Sequence, residues 1–323
     1  MYFQTAPDRV VVHTPAKLNL FLEVLAKRPD GFHEIETLMS AIDLCDTLTV
    51  TPRDDGEIRL ACVWASGAKQ RDSAGTEAGS QQGHSLEDLP EPGRNIVVRA
   101  LSLLQQRAAV GRGLDVELVK RIPAAAGLGG ASSDAAAALL AANKAWGLSL
   151  PLEELEAIAA QIGSDIPFFF SRGSAVCRGR GEQIEAIEAL RLHVVVVRPP
   201  EGLSTPEVYR HCRPAETPAS SLPLREALVR GDTREAARLM LNRLQAPAAG
   251  LSHWIVRLQE EFERLDCVGH QMSGSGSSYF GICHHARHAR RTAARLRARG
   301  LGSVHAAATA RWGHALPAGP ASA

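Results

Sequence analysis

The sequence runs to 323 residues, 45% of them hydrophobic and 22% charged, enough to bury a substantial core and to form two domains rather than one. Thirty-six basic residues against 35 acidic ones leave a formal net charge of +1, which excludes the one-signed field that selects nucleic acid or anionic lipid, so a charged partner has to be held locally. Six scattered cysteines exclude a disulfide scaffold or a close-paired zinc site, and no stretch reaches the roughly 18 apolar residues of a membrane span, so we expect a cytoplasmic protein, monomer or weak homodimer, that binds neither membrane nor nucleic acid.

In chain order, strands and helices alternate irregularly, which predicts an α+β protein. In KLNLFLEVL (17–25) Leu18, Leu20, Leu22 and Val24 alternate with Asn19, Phe21 and Glu23, the period-2 signature of a half-buried strand. DTLTVTP (46–52) and IRLACVW (58–64) read as further strands. Over 65–94 the composition shifts to Gly, Ser, Gln, Asp, Glu and Pro, which predicts a flexible surface insertion. Helices are predicted at 96–107, 133–145 and 152–162, the last closed by Gly163. LHVVVVRPP (192–200) is a β-branched strand stopped by two prolines. Helical patterns near 222–245 and 252–265 and a basic helix near 286–299 precede a last strand, SVHAAATA (303–310). The basic helix carries six arginines in its stretch without interleaved aromatics, and reads as a solvated amphipathic face. We expect a first domain over 1–180, a second over 181–313 and a disordered tail over 314–323.

PAAAGLGGASSDAAAALL (123–140) sets glycines and serines directly before an alanine-rich helix. A helix start exposes unpaired N–H groups and the positive end of a dipole, and a glycine loop there lets backbone approach an anion closely. Small residues keep the approach open, and serine hydroxyls can meet phosphate oxygens or a metal. A glycine turn with a serine cap before a buried helix fits the same residues. The chain contains no G-x-x-x-x-G-K-[ST] loop.

Three segments in order, PAKLNLFLEV (15–24), PxxxGLGGASS (123–133) and MSGSGSSYFGIC (272–283), resemble the GHMP kinases, small-molecule kinases named for galactose, homoserine, mevalonate and phosphomevalonate. The resemblance implies a two-domain fold: a ribosomal protein S5 domain 2-like N-terminal domain, a ferredoxin-like C-terminal domain, and the active site in the cleft between them. It also implies ATP with Mg2+. DGFHEIET (30–37) and GSDIPFFF (163–170) are similar to the branch that phosphorylates the 2-hydroxyl of a cytidine-diphosphate-linked methylerythritol, on the non-mevalonate route to isoprenoids.

That resemblance assigns roles. Asp165, in a loop able to project a carboxylate into a cleft, accepts the substrate hydroxyl proton, and Lys17 keeps it ionised and steadies the transferring phosphoryl group. Pro123, Ala124, Ala125, Ala126, Gly127, Leu128, Gly129, Gly130, Ala131, Ser132 and Ser133 hold the nucleotide phosphates. Asn19 positions the substrate; Phe32, His33 and Tyr209 take the cytosine by stacking and edge hydrogen bonds. Ser273, Gly274, Ser275 and Gly276 close over substrate and catalytic groups. Protein ligands to the metal stay unassigned. Two other readings remain: a GHMP kinase for homoserine, mevalonate or a sugar, and a non-catalytic sensor on the same fold.

Overall fold

The computed structural model describes residues 1–6, 8–65, 95–171, 173–188 and 191–310; the insertion expected over 65–94 lies outside them except for Ala65, as does the expected tail. The first half of the chain folds as β1 (Tyr2–Thr5), β2 (Val10–Lys27), β3 (His33–Arg53), β4 (Ile58–Trp64), α1 (Ile96–Arg107), β5 (Gly113–Lys120), α2 (Gly130–Ala145), α3 (Leu152–Ala160), a 3-10 turn (Pro167–Phe170), β6 (Ser174–Gly179) and β7 (Gln183–Ala186). The second half follows as β8 (His193–Arg198), α4 (Thr205–His211), α5 (Leu222–Arg230), α6 (Thr233–Arg238), β9 (Leu241–Asn242), α7 (Gln245–Leu251), α8 (His253–Glu263), β10 (Gly269–Met272), β11 (Tyr279–Cys283), α9 (Ala286–Ala298) and β12 (Ser303–Ala308).

One sheet runs in the order β1-β2-β3-β5-β4, with β6 and β7 extending it from β3 and the short β9 lying parallel to β2. The other runs β10-β11-β8-β12, all antiparallel, with helices after β8 and after β11. That is the β-α-β-β-α-β order of a ferredoxin-like domain. The boundary expected at 180/181 falls inside the β6–β7 hairpin; β7 pairs with β6, and a division between Ala186 and His193 keeps that hairpin whole, with the short β9 alone among the described strands crossing back to the first sheet.

β2 is longer than the strand read from the sequence and is not half-buried. Asn19, Phe21 and Glu23 are as buried as Leu18, Leu20 and Leu22, because both faces are covered. Near its start Val10 and Val12 join the alanines of α2 and the Leu48, Val50 side of β3. Further along, Leu18 and Leu20 pack with Val194, Val196 and Phe280 of the second sheet, and Leu22 and Val24 with Val195 and Val197. A single strand thus runs from the first domain's core into the contact between domains. Its polar residues are buried with partners: the Arg243 guanidinium donates two hydrogen bonds to Glu23, at 2.6 and 2.7 Å. That pairing holds the Glu23 carboxyl below its ordinary pKa despite the opposing effect of burial.

Other differences are local. α2 begins at Gly130, three residues before the predicted start, because the small residues after Gly129 adopt the first helical turn. α3 stops at Ala160, with Gln161 rather than Gly163 at its C-cap. The helical pattern near 222–245 resolves into α5 and α6, and Leu241 and Asn242 leave it to pair with β2. α1 matches its predicted span, capped by Asn95, whose side chain accepts a hydrogen bond from Val97 N–H at 2.9 Å. Asn95→Ala is expected to cost about 0.5–2 kcal/mol through loss of that cap, read as a lowered midpoint in chemical denaturation. An unchanged midpoint would show that the cap is redundant.

Candidate active site

Lys17 and Asn19 lie two apart on β2 and so point to one face. The β2–β3 register shifts between Pro15 and Ala16 and again between Asn19 and Phe21, and such irregularities re-aim side chains next to sites. Lys17 Nζ donates to Asn19 Oδ1 at 2.6 Å, and Asn19 Nδ2 to Thr37 Oγ1 at 2.9 Å. Asp165 reaches the same place from the loop between α3 and the 3-10 turn, with Oδ2 at 3.7 Å from Lys17 Nζ. The Lys17 side chain is 4% exposed and the Asp165 side chain 39%. A cation is therefore buried beneath a carboxylate that faces the open side. Burial pulls the Lys17 ammonium below its ordinary pKa, against the opposing pull of Asp165.

Both glycine-containing loops converge on this pair. The Lys17 backbone N–H donates to the Leu128 carbonyl at 2.9 Å, and Ser278 N–H to the Ala126 carbonyl at 3.2 Å. Gly127, at φ +70°, lies so close to the loop after β10 that a Cβ there would fall 2.2 Å from the Ser273 carbonyl oxygen. Only glycine fits that conformation and that approach. Gly274, at φ +58°, would place a Cβ 3.2 Å from Lys17 Nζ and 3.3 Å from Asn19 Oδ1. Asn242 of β9 steadies this loop by donating to the Met272 and Gly274 carbonyls, each at 2.8 Å. Two hydroxyls of this loop are engaged, Ser273 donating to the Gly127 carbonyl at 3.1 Å and Ser275 sharing a hydrogen bond with Thr205 at 2.7 Å, whereas those of Ser277 and Ser278 are buried without a partner among the described residues.

Within 123–133 the side chains of Ala126, Leu128 and Ser133 are buried, whereas Ala124, Ala125 and Ala131 are exposed. The Ser133 hydroxyl, in the first turn of α2, is buried without a hydrogen-bond partner among the described residues.

An ion network that sequence reasoning did not find ties down both ends of this segment. Lys120 Nζ, at the end of β5, donates to Asp46 and to Asp134, the latter at 2.6 Å. Asp46 also accepts the N–H groups of Arg121 and Ile122, and Thr14 donates to Asp134 at 2.7 Å. A Cβ on Gly130 would stand 3.4 Å from Lys120 Nζ, so the network lies against the start of α2. No local pattern signals it, since its members come from β2, β3, β5 and α2.

Beside Asp165 opens a cavity of about 410 Å³ lined by Phe32, His33, Ser164, Thr205 and Tyr209 among others. The His33 and Tyr209 rings stand 5.0 Å apart, and Phe32 is 52% exposed. The His33 imidazole is held below its ordinary pKa, mainly by burial and further by Lys27, so at neutral pH its ring presents one donor and one acceptor. All three aromatic residues singled out in the sequence thus meet at one opening, next to Lys17 and Asp165. Among the described residues no group of three or more His, Cys, Asp or Glu side chains is arranged to hold a metal, and no helix is long and apolar enough to cross a membrane.

This fold, with its paired glycine loops, defines a class: the chain belongs to the GHMP kinase family. The family's N terminal domain model matches residues 95–173 and its C terminal model residues 224–301. The particular relatives it resembles are named 4-diphosphocytidyl-2-C-methyl-D-erythritol kinase. That of Pelotomaculum thermopropionicum is 38% identical, over 87% of this chain and 92% of its own, and that of Rhodopirellula baltica 40% identical, over 88% and 89%. A crystal structure of 4-(cytidine 5'-diphospho)-2C-methyl-D-erythritol kinase superposes with a TM-score of 0.74 and 32% identity, covering 94% of this chain and 100% of that one. A homoserine kinase from Cytophaga hutchinsonii shares the fold at a TM-score of 0.69 and 18% identity, covering 96% of this chain and 97% of its own.

Proposed function

We infer that this kinase transfers the γ-phosphoryl group of ATP to the 2-hydroxyl of 4-(cytidine 5'-diphospho)-2-C-methyl-D-erythritol, a step of the non-mevalonate route to isoprenoid precursors. The observation that carries the reading is the meeting of three parts at one place. They are the α2 start with its glycine loop, the Lys17–Asp165 pair 3.7 Å apart, and the Phe32, His33 and Tyr209 cavity beside Asp165.

Backbone N–H groups at the start of α2 are suited to the nucleotide phosphates, with the dipole of a 16-residue helix behind them. The acceptor alcohol then lies beside Asp165, whose carboxylate orients the hydroxyl and takes its proton as the oxygen bonds to phosphorus and ADP leaves. Because phosphoryl transfer passes through a loose transition state, placement and charge compensation contribute more than proton removal. Lys17 supplies that compensation from a buried position, where a charge acts more strongly than in water. Asn19 holds the ammonium in register. His33, kept neutral, reads the edge of a pyrimidine stacked against the aromatic residues.

Magnesium, when bound, neutralises charge on the phosphates. The unpartnered Ser133 hydroxyl fits an oxygen ligand for such a hard cation, with the phosphates themselves supplying the rest.

Incubation with ATP, magnesium and the cytidylated methylerythritol, followed by mass detection of one added phosphate, tests the reading; transfer to homoserine or mevalonate in its place would refute it. His33→Ala is expected to raise KM for the cytidylated substrate about tenfold or more, the scale of a lost base-edge hydrogen bond, while KM for ATP stays within about twofold. An unmoved KM for the cytidylated substrate would take His33 out of base recognition.

A further inference from the structure

The cavity beside Asp165 has an electrostatic character that the aromatic residues do not explain. Its lining includes Lys27, Arg180 and Arg210 and, among the described residues, no carboxylate. These cations come from three separate elements: the end of β2, the β6–β7 turn and α4. The Arg180 guanidinium carbon lies 5.0 Å from the centroid of the Phe32 ring. Its neighbour Gly181 would carry a Cβ 3.7 Å from Asp165 Oδ1, so the turn that bears Arg180 spans the distance between the aromatic mouth and the carboxylate. Of the acids around it, Glu182 has Oε2 3.8 Å from Arg180 Nε and already accepts the Arg180 backbone N–H at 2.7 Å, and Asp30, which interacts electrostatically with Arg180, is paired with Arg28.

Three positive side chains around one opening leave a local charge excess that a bound anion would offset. A guanidinium offers several donors in a fixed planar fork, which suits phosphate oxygens, and Arg180 is carried between the place for a base and the place for an acceptor alcohol. We propose that Arg180, supported by Lys27 and Arg210, forms a subsite for the diphosphate of the acceptor substrate, and so selects a nucleoside diphosphate over a nucleoside. This rests on the reading of the cavity as the acceptor site. It adds that recognition of the linker, and not only of the base, sets acceptor affinity.

The test is calorimetric titration of CDP and of cytidine into the full-length protein saturated with a non-hydrolysable ATP analogue, for wild type, Arg180→Ala and Arg180→Lys. Wild type is expected to bind CDP more tightly than cytidine by about 10–100-fold, the range for a charge-assisted contact. Arg180→Ala is expected to lose most of that preference with cytidine binding unchanged, and Arg180→Lys to keep part of it. In turnover, Arg180→Ala raises KM for the cytidylated substrate by a similar factor and leaves KM for ATP unchanged. A CDP preference that survives in Arg180→Ala overturns the subsite even if wild-type turnover upholds the acceptor reading. Equal loss of CDP and cytidine binding also overturns it, because Arg180 would then serve only to hold Phe32. An Arg180-dependent CDP preference without transfer to the methylerythritol keeps the subsite and refutes the proposed reaction.

Discussion

Asp165→Asn is expected to lower kcat about 10²–10⁴-fold, the range for removing a positioned acid–base group, with KM for ATP nearly unchanged. The amide keeps the shape of the carboxylate and loses both its proton affinity and its charge. The loss of charge matters twice. In the proposed reaction Asp165 receives the hydroxyl proton, and in the structure it also offsets the desolvation of Lys17, 3.7 Å away, so the Lys17 ammonium should move further below its ordinary pKa in the variant. Steady-state kinetics together with a pH profile would separate these effects: the high-pH limb of the residual activity should shift downward. Near-wild-type turnover would remove Asp165 from the chemistry. A wild-type high-pH limb in an otherwise slow variant would instead separate the carboxylate from Lys17.

The second large effect is expected away from the reacting atoms. Lys120→Met removes the ammonium that Asp46 and Asp134 share, leaving two buried carboxylates facing each other. Breaking a buried pair in this way costs about 3–5 kcal/mol, read as ΔG of unfolding from denaturant titration. A loss below about 1 kcal/mol would mean that the carboxylates simply take up protons. The network also predicts a pH dependence. Burial, reinforced by Asp46, raises Asp134 above the usual carboxylate range to about 7, against the opposing charge of Lys120. A carboxyl with a raised native pKa binds its proton more tightly when folded. Its contribution to stability is therefore full below about pH 4, the unfolded value, and is lost as pH rises through about 7. The difference in Tm between wild type and Asp134→Asn should fall as pH rises from about 5 to 8. A difference independent of pH would place the titration elsewhere.

How much of this was legible beforehand depends on the range of each interaction. α1 and β4 match their predicted spans because the signals that define them, an asparagine cap before an apolar stripe and a short alternating run, are local. The glycine and serine segments stand out for the same reason: backbone that must approach a partner closely leaves a gap in side-chain size that can be read directly. β2 shows where local reading ends. Its alternation reads as one buried face; the second domain packs on that face, and its Arg243 also reaches between to pair with Glu23. The polar residues between the apolar ones, Asn19 and Glu23, and Lys17 before them are buried and paired.

By itself, then, the sequence determined the α+β content through local patterning, and the two-domain plan through three ordered segments that resemble the GHMP kinases. Only the tertiary structure decided that Lys17 stands 3.7 Å from Asp165, that Lys120 anchors both ends of the glycine segment, and that Arg180 faces the aromatic mouth. Those arrangements join residues from distant strands and loops. They arise because burying the apolar faces of two sheets brings their polar edges together, and no pattern along the chain encodes the distance at which they meet.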